Sequence, residues 1–350
     1  MDMLSSRTAS PKKRFSPVRV LEYTVLLLLA AGLLYLSFKG VKWSDFRKGI
    51  ESCNYYWIFA SMIIGFSGFV FRALRWRLLL LPLNKDITRR ETYHGVTIAY
   101  LTNFALPRAG ELARCGVIAG SRKVSFEGAL GTVVLERSFD LFCLLIWMLL
   151  LLAFKWAEFG SFLKEELIKP FAERFSAGWI WISAAMAAII LSVVITGIWI
   201  FRKKLAKSRF FRKIADIVKG LTNGLMTAFR MKNKGLFFLF TFLLWGSYWL
   251  TSLTTIYAFP SVGHLGGADA LFLMIAGGLG WVIPVQGGLG AYHFIISLAL
   301  SRIYLIPQTT GVIFATISHE SQALVMILCG ALSLISIAAA NKIKTGSRKK

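Results

Sequence analysis

The 350-residue sequence is poor in cysteine and in acidic residues. Its four cysteines form no CxxC pair, and most of them fall in or beside apolar segments, which argues against a disulfide framework and against a zinc site. We therefore expect neither a metal nor a cofactor. Asp and Glu number only 17 against 41 Lys and Arg. The longer non-spanning stretches also contain no DxD-like acidic pair, the metal-binding motif that membrane glycosyltransferases usually carry.

The formal net charge is +24, an excess that would indicate nucleic acid binding in a soluble protein. Here the basic residues cluster beside apolar segments, as they do in the cytoplasmic loops of membrane proteins. Hydrophobic residues make up 56% of the chain and the mean hydropathy is +0.62, which is too apolar for a soluble domain of this length. We predict a multi-pass membrane protein without a nucleic acid partner.

Six apolar runs are long enough to span a bilayer, which requires about 20 mostly apolar residues. They cover about 21–38, 55–74, 127–154, 178–201, 235–259 and 309–340. The first run follows a basic N-terminus, 1–20, and has no convincing cleavage site, so we interpret it as an uncleaved helix. The Lys and Arg bias places this N-terminus and the basic tail, 341–350, in the cytoplasm. One membrane domain is predicted over 21–340, with halves of about 21–154 and 178–340 joined by the loop 155–177.

Two apolar hairpins broken by glycine and proline lie between the spans, at about 92–120 and about 270–303. Broken backbone is tolerated in a bilayer only where protein or a water-filled cavity satisfies its polar groups. Paired interruptions in corresponding positions of two halves point to a transporter's binding site. In the topology that the Lys and Arg bias predicts, residues 75–126 begin and end inside and residues 260–308 begin and end outside, so the two hairpins enter from opposite sides of the membrane. The predicted fold class is therefore all-α, with about six spans and two re-entrant hairpins, or about eight helices, and with an inverted repeat as one interpretation. The alternative is that each hairpin forms two short complete spans.

The first hairpin predicts two half-helices that meet at Pro107. The N-terminus of the second half-helix would expose amides and a positive dipole, which favour an anion. Arg108 and Arg114 would add charge, and arginine suits bidentate contact with phosphate. The alternative is mutual neutralisation, in which Glu111 pairs with one of these arginines and nothing binds.

Charges within a membrane helix cost about 2.5–3.5 kcal/mol each, so they are candidates for function. Glu136 and Asp140 are four residues apart on one helix face, and Arg137 lies between them. They predict either a charged wall of a polar cavity or a buried ion pair that fixes this helix against the first hairpin. The segment 72–77 contains three arginines and a tryptophan at the end of the second span. It is interpreted as a snorkelling belt at the membrane interface, with direct contact to substrate as the alternative.

In the second hairpin, Gly287 and Gly288 permit positive φ and close backbone approach. His293, His319 and Glu320 predict proton coupling or headgroup contact, or else ordinary interhelical hydrogen bonds. The segment 202–234 has apolar residues at helical spacing among basic ones. It predicts an interfacial helix on an anionic inner leaflet, or an ordinary connector.

The candidate substrate-binding residues are Asn103, Arg108, Glu111, Arg114, Glu136, Arg137, Asp140, Gly287, Gly288, His293, His319 and Glu320.

At these residues the chain resembles the lysylphosphatidylglycerol synthase transmembrane, or flippase-like, family of bacterial inner-membrane proteins. The matching motifs are Arg72-Ala-Leu-Arg-Trp76, Asn103 with Pro107-Arg-Ala-Gly-Glu111 and Arg114, Glu136-Arg137 with Asp140, and Pro284 with Gly287-Gly-Leu-Gly290. The resemblance implies a polytopic protein with re-entrant helices. In the best-known members this module moves a modified phospholipid between leaflets.

Two departures from the family pattern bear on function. The synthases carry a soluble aminoacyltransferase domain after the membrane part, and we expect this chain to be a stand-alone member. Many relatives also place an acidic residue just after the glycine turn, where this chain has Ala291-Tyr292-His293.

We expect a lipid flippase or transporter that moves a phospholipid or a polyprenyl-phosphate-linked lipid across the bacterial inner membrane. Its partners would be membrane lipids with an anionic or lipid-linked headgroup, and a homo-oligomer is compatible with the sequence. The alternatives are a membrane-embedded glycosyltransferase or lipid-modifying enzyme, or a non-catalytic partner of one.

Overall fold

The computed structural model describes residues 17–156 and 209–347, with a few isolated positions between them, and these residues form helices and no β-strand. The helices are α1 (Pro17–Phe38), α2 (Trp43–Glu51), α3 (Tyr55–Leu80), α4 (Arg89–Ala105), α5 (Gly110–Gly120), α6 (Phe126–Phe154), α7 (Arg209–Leu225), α8 (Thr227–Arg230), α9 (Lys234–Tyr257), α10 (Gly267–Val282), α11 (Ala291–Ile303) and α12 (Gln308–Ser347). The predicted all-α fold class is confirmed.

Among the described residues, α3, α6, α9 and the part of α12 that ends at Ala340 are long and apolar enough to cross a membrane. The pair α1 and α2 passes the same test together, although the two helices meet at 84°. These helices match the predicted runs except the one at 178–201, which lies outside the described residues together with most of the loop 155–177. Many large apolar side chains on α6 and α9 are exposed, among them Phe142, Leu149 and Phe238, as expected of faces that contact lipid.

The helices flanking the charged segments begin at side-chain caps that the sequence encodes. At the start of α4, the Thr88 hydroxyl accepts a hydrogen bond from the Glu91 amide, and the Glu91 carboxylate accepts one from the Thr88 amide. At the start of α6, the Ser125 hydroxyl accepts a hydrogen bond from the Gly128 amide at 3.1 Å. These caps fix where α4 and α6 begin.

Both predicted hairpins are present, and each is a pair of helices separated by a break. Between α4 and α5 the break contains Pro107, which cannot continue a helix, and Arg108, whose φ of 60° lies in the left-handed region. Between α10 and α11 the chain forms one 3-10 turn, Gln286–Gly288, with positive φ at Gly287 and Gly288. Entry of the two hairpins from opposite sides of a membrane stays a prediction.

The two breaks contact each other. The Phe104 ring, at the end of α4, lies 6.4 Å from the Trp281 ring at the end of α10, measured between centroids. Phe104 also lies against Gly287, where any side chain would collide with its ring. The two interrupted segments therefore meet in the fold.

The helix α7 packs closely against the start of α6 through glycines. A side chain at Gly224 would collide with the backbone of Gly128 and Gly131, and one at Gly131 would collide with the backbone of Leu221 and Gly224. Small residues allow two helices in a membrane protein to approach this closely. The predicted helix at 202–234 is confirmed over Arg209–Leu225, whereas residues 202–208 lie outside the described residues and its contact with lipid stays a prediction.

We expect Gly224→Leu to lower the free energy of unfolding by about 1–3 kcal/mol, because the added side chain forces α7 away from α6. The measurement is thermal or denaturant unfolding of the purified protein in detergent. Gly246→Leu is the matched control, because Gly246 lies within α9 and a side chain there meets no atom within 4 Å. Equal destabilisation by the two variants would contradict the close contact of α6 with α7.

Candidate functional site

Three helices bring a cluster of charged side chains together, which we call the arginine–carboxylate network. Its members are Arg72 and Arg75 on α3, Glu111 and Arg114 on α5, and Glu136, Arg137 and Asp140 on α6. The four arginines exceed the three carboxylates by one positive charge.

Glu136 lies at the centre of the network and is completely buried. Its Oε1 accepts hydrogen bonds from Arg75 Nη2 at 2.9 Å and from Arg72 Nε at 3.2 Å. Its Oε2 accepts one from Arg114 Nη1 at 2.8 Å. One carboxylate therefore joins α6 to both α3 and α5. This is the ion pair that the sequence offered as one interpretation of the charges on α6.

Asp140 lies one helical turn beyond Glu136 and pairs with the same two arginines of α3. Arg72 Nη2 donates to Asp140 Oδ2 at 2.7 Å, and Arg75 Nη2 lies 2.7 Å from Asp140 Oδ1. Arg72 Nη1 also donates to the Tyr100 hydroxyl on α4 at 2.8 Å. The two carboxylates on α6 and the two arginines on α3 thus form matched rows along adjacent helices.

Glu111 extends the network towards the first break. It forms two ion pairs: Arg114 Nε lies 2.7 Å from Glu111 Oε2, and Arg137 Nη2 lies 2.9 Å from Glu111 Oε1. Next to it, the Asn103 side chain accepts a hydrogen bond from the Gly110 amide at 2.8 Å, at the first residue of α5. The neutralising pair of Glu111 with Arg114 that the sequence offered as an alternative is therefore present, although Arg114 binds a second carboxylate as well.

The interpretation of segment 72–77 as a snorkelling interfacial belt is wrong for its first five residues. Arg75 and Trp76 are 0% exposed and Arg72 is 8% exposed. Trp76 Nε1 donates to the Thr132 hydroxyl at 3.0 Å, and the Arg114 guanidinium lies 4.8 Å from the centre of the Trp76 ring. The missed signal was the three-residue spacing of Arg72 and Arg75, which puts both on the helix face that matches the acidic pair on α6.

A cavity of about 690 Å³ opens beside the network and is lined by both broken hairpins and by α3, α6, α9 and α12. Most of the predicted residues line it, namely Asn103, Arg108, Glu111, Arg114, Arg137, Asp140, Gly287, Gly288 and His319. Glu136 lies behind this wall, in contact with Arg114. His293 and Glu320 do not line the cavity, but both contact His319, which does. Sequence reasoning missed further lining residues, namely Arg72, Tyr100, Trp245, Tyr248, Trp281 and Gln322.

The cavity has one charged side and one apolar side. The apolar side is formed by Leu141, Leu273 and Met274 among others, so a ligand would need both a charged and an apolar part. On the charged side, Arg114 is 1% exposed and its Nη2 has no hydrogen-bond partner within the described residues. A buried cationic donor of this kind costs free energy until an acceptor is supplied.

His319 and its neighbours form the wall of the second hairpin. His319 Nε2 lies 2.9 Å from the Gly287 carbonyl oxygen, and its Nδ1 lies 2.9 Å from Glu320 Oε1. The His319 ring stacks on Trp281 with 5.3 Å between centroids, and the His293 ring lies 5.1 Å away. The three predicted polar residues of this half are therefore in one place.

The profile of the lysylphosphatidylglycerol synthase TM region family matches residues 23–330. The chain belongs to this family. Searches of curated proteins and of solved structures gave no match. Membership and the apolar helices together make the chain a multi-pass membrane protein, and the family is tied to the handling of lipids.

The motifs that this chain shares with the family have distinct structural roles. Those around Arg72, Glu111 and Glu136 form the arginine–carboxylate network. Those around Pro107 and Pro284 form the two breaks that meet at Phe104. The matched region thus includes every element that lines the cavity.

We expect Glu136→Gln to lower the free energy of unfolding by about 3–5 kcal/mol, because three arginines would remain buried around an uncharged amide. The control is Glu51→Gln. Glu51 also pairs with an arginine, Arg47 at 2.8 Å, but its side chain is 60% exposed, and loss of such a pair costs about 0–1 kcal/mol.

Both variants would be compared with the unmodified protein by denaturant unfolding in the same detergent. A loss of stability for Glu136→Gln no greater than that for Glu51→Gln would show that Glu136 does not hold the three helices together.

Proposed function

We propose that the chain moves a lipid with a phosphate-containing headgroup, either a phospholipid or a polyprenyl-phosphate-linked lipid, across the bacterial inner membrane. Both termini would lie in the cytoplasm, in accord with the Lys and Arg bias. The observation that carries the proposal is the arginine-rich wall of the 690 Å³ cavity. Membrane lipids are the only partners that this mechanism requires.

The charge of the wall favours an anion. The network has one more arginine than carboxylates, and Arg108 adds a further positive charge at the first break. Arg114 Nη2 is a buried donor with no hydrogen-bond partner in the described parts of the chain. A phosphate oxygen would satisfy it with a charge-assisted hydrogen bond.

The size and the apolar side of the cavity favour a headgroup over a whole lipid. A volume of about 690 Å³ falls in the range of about 300–1,000 Å³ that small-molecule sites occupy. The apolar lining from α6 and α10 would accept the part of the lipid next to the phosphate, while the acyl chains remained in the bilayer. Exposed apolar side chains on α6, such as Leu141 and Leu145, would contact these chains.

The junction of the two broken hairpins supports alternating access as the way in which the lipid moves. They approach each other at Phe104 and Gly287, and residues next to both breaks line the cavity. Transporters with interrupted helices bind substrate at such a junction and expose it alternately to each side by rocking one half against the other. The described elements fit that scheme, with α4 and α5 in one half and α10 and α11 in the other.

The test is translocation in liposomes. Wild-type protein would be reconstituted with fluorescent anionic phospholipids, with zwitterionic ones and with polyprenyl-phosphate-linked sugars, and transbilayer movement would be followed by quenching from outside. We expect Arg137→Gln to slow movement of the preferred lipid by at least about tenfold, because a hydrogen bond to a charged group contributes about 1.5–3 kcal/mol. Arg137 is 42% exposed, so the variant should still fold.

Arg47→Gln is the matched control, because it also removes an arginine paired with a glutamate but lies on α2, outside the cavity lining. Wild-type protein that moved none of these lipids faster than empty liposomes would contradict the proposal. Equal rates for Arg137→Gln and Arg47→Gln would remove the arginine-rich wall from the mechanism. A chemically altered lipid, detected by mass spectrometry, would favour the lipid-modifying enzyme instead.

A further inference from the structure

Two histidines and a glutamate meet at the part of the cavity wall that His319 forms, in a cluster that the proposed phosphate site does not use. His293 comes from α11, whereas His319 and Glu320 come from α12. One nitrogen or oxygen ligand atom from each of the three lies within 4.8 Å of the others. Two imidazoles and a carboxylate are a common donor set for transition metals.

The hydrogen bonds of His319 require a cation beside it. Its Nε2 lies 2.9 Å from the Gly287 carbonyl oxygen, which can only accept, so Nε2 carries the proton. A neutral imidazole then presents a lone pair at Nδ1, and this atom lies 2.9 Å from Glu320 Oε1, which is also an acceptor. Two acceptors approach this closely only when they share a proton or when both bind the same metal ion.

His293 distinguishes a metal from a proton. The His293 side chain is about 2% exposed, and its Nδ1 has no hydrogen-bond partner within the described residues. Its Nε2 lies 3.8 Å from Glu320 Oε1, beyond hydrogen-bond distance. A proton shared by His319 and Glu320 would leave this buried imidazole without a role, whereas a metal ion would use it as a third ligand.

We propose that His293, His319 and Glu320 bind a divalent transition metal ion, of which Zn²⁺ is the best match. Zinc accepts imidazole nitrogen together with carboxylate oxygen, and three protein ligands leave its fourth position open for water or a substrate oxygen. The contact from His319 Nε2 to the Gly287 carbonyl is the kind of outer hydrogen bond that orients a metal-bound histidine. The ion would tie the glycine turn of the second hairpin to α12.

The spacing of the ligands explains why no metal was expected from the sequence. The two histidines lie 26 residues apart, outside any short His or Cys motif, and only the packing of α11 on α12 brings His293 to His319 and Glu320. The two histidines also differ from His264, which is exposed in the segment before α10.

The test uses protein purified without a histidine tag, stripped with a chelator and kept in detergent without substrate lipid. Titration with Zn²⁺ by calorimetry should show one ion per chain, and Zn²⁺ should raise the unfolding temperature, because an ion that binds only the folded state stabilises it. We expect His293→Ala, His319→Ala and Glu320→Gln each to weaken zinc binding by at least about tenfold. His264→Ala is the control and should bind as the wild type does.

Cobalt(II) gives an independent readout, because its visible absorption reports tetrahedral nitrogen and oxygen coordination. Glu320→Gln preserves the size of a half-exposed side chain and should fold even if a histidine variant does not. Wild-type protein that shows no tetrahedral cobalt spectrum, or that binds zinc no more tightly than Glu320→Gln, would overturn the metal site and leave a shared proton as the cation. Since no lipid is present, this result is independent of translocation.

Discussion

The structure around the cavity depends on the burial of one carboxylate, that of Glu136. A charge removed from water is stable only when partners compensate for its lost hydration, and Glu136 has arginines on two neighbouring helices. The pairing fixes α3, α5 and α6 relative to one another, although buried ion pairs add little net stability compared with apolar packing. The pairing matters here because it positions an arginine: the Glu136 carboxylate holds the Arg114 guanidinium at the cavity wall and over the Trp76 ring.

The second constraint is the contact between the two breaks. A helix interrupted in an apolar environment leaves polar backbone groups that need partners. In the first hairpin, the Asn103 side chain accepts a hydrogen bond from the Gly110 amide, and in the second, the Gly287 carbonyl faces His319. Phe104 packs onto the glycine turn where any side chain would collide with it. Side chains thus supply partners for polar backbone groups at both breaks, and the two hairpins together line the cavity beside the charged network.

Much of this arrangement could be predicted from local sequence. Length and apolar composition predicted the spans that lie within the described residues, and Pro107 and Pro284 marked the breaks to within a few residues. The four-residue spacing on α6 put Glu136 and Asp140 on one face. The burial of Arg72 and Arg75 could not be predicted from their own segment, because arginine at the end of an apolar run is typical of an interface, and their partners lie 61–68 residues away in the chain. Contacts at that separation are set by packing, which single-sequence patterns do not encode.

The small size of the charge excess is itself consistent with transport. Four arginines without carboxylates would hold a phosphate tightly and would repel one another when the site was empty. With three carboxylates among them, the arginines are fixed in place and the network exceeds neutrality by one charge. A transported group must bind well enough to enter and weakly enough to leave, as permeating ions do in channels. A network that positions its arginines by internal pairing, and leaves buried donors such as Arg114 Nη2 without an acceptor in the described residues, would meet both requirements of the proposed transport.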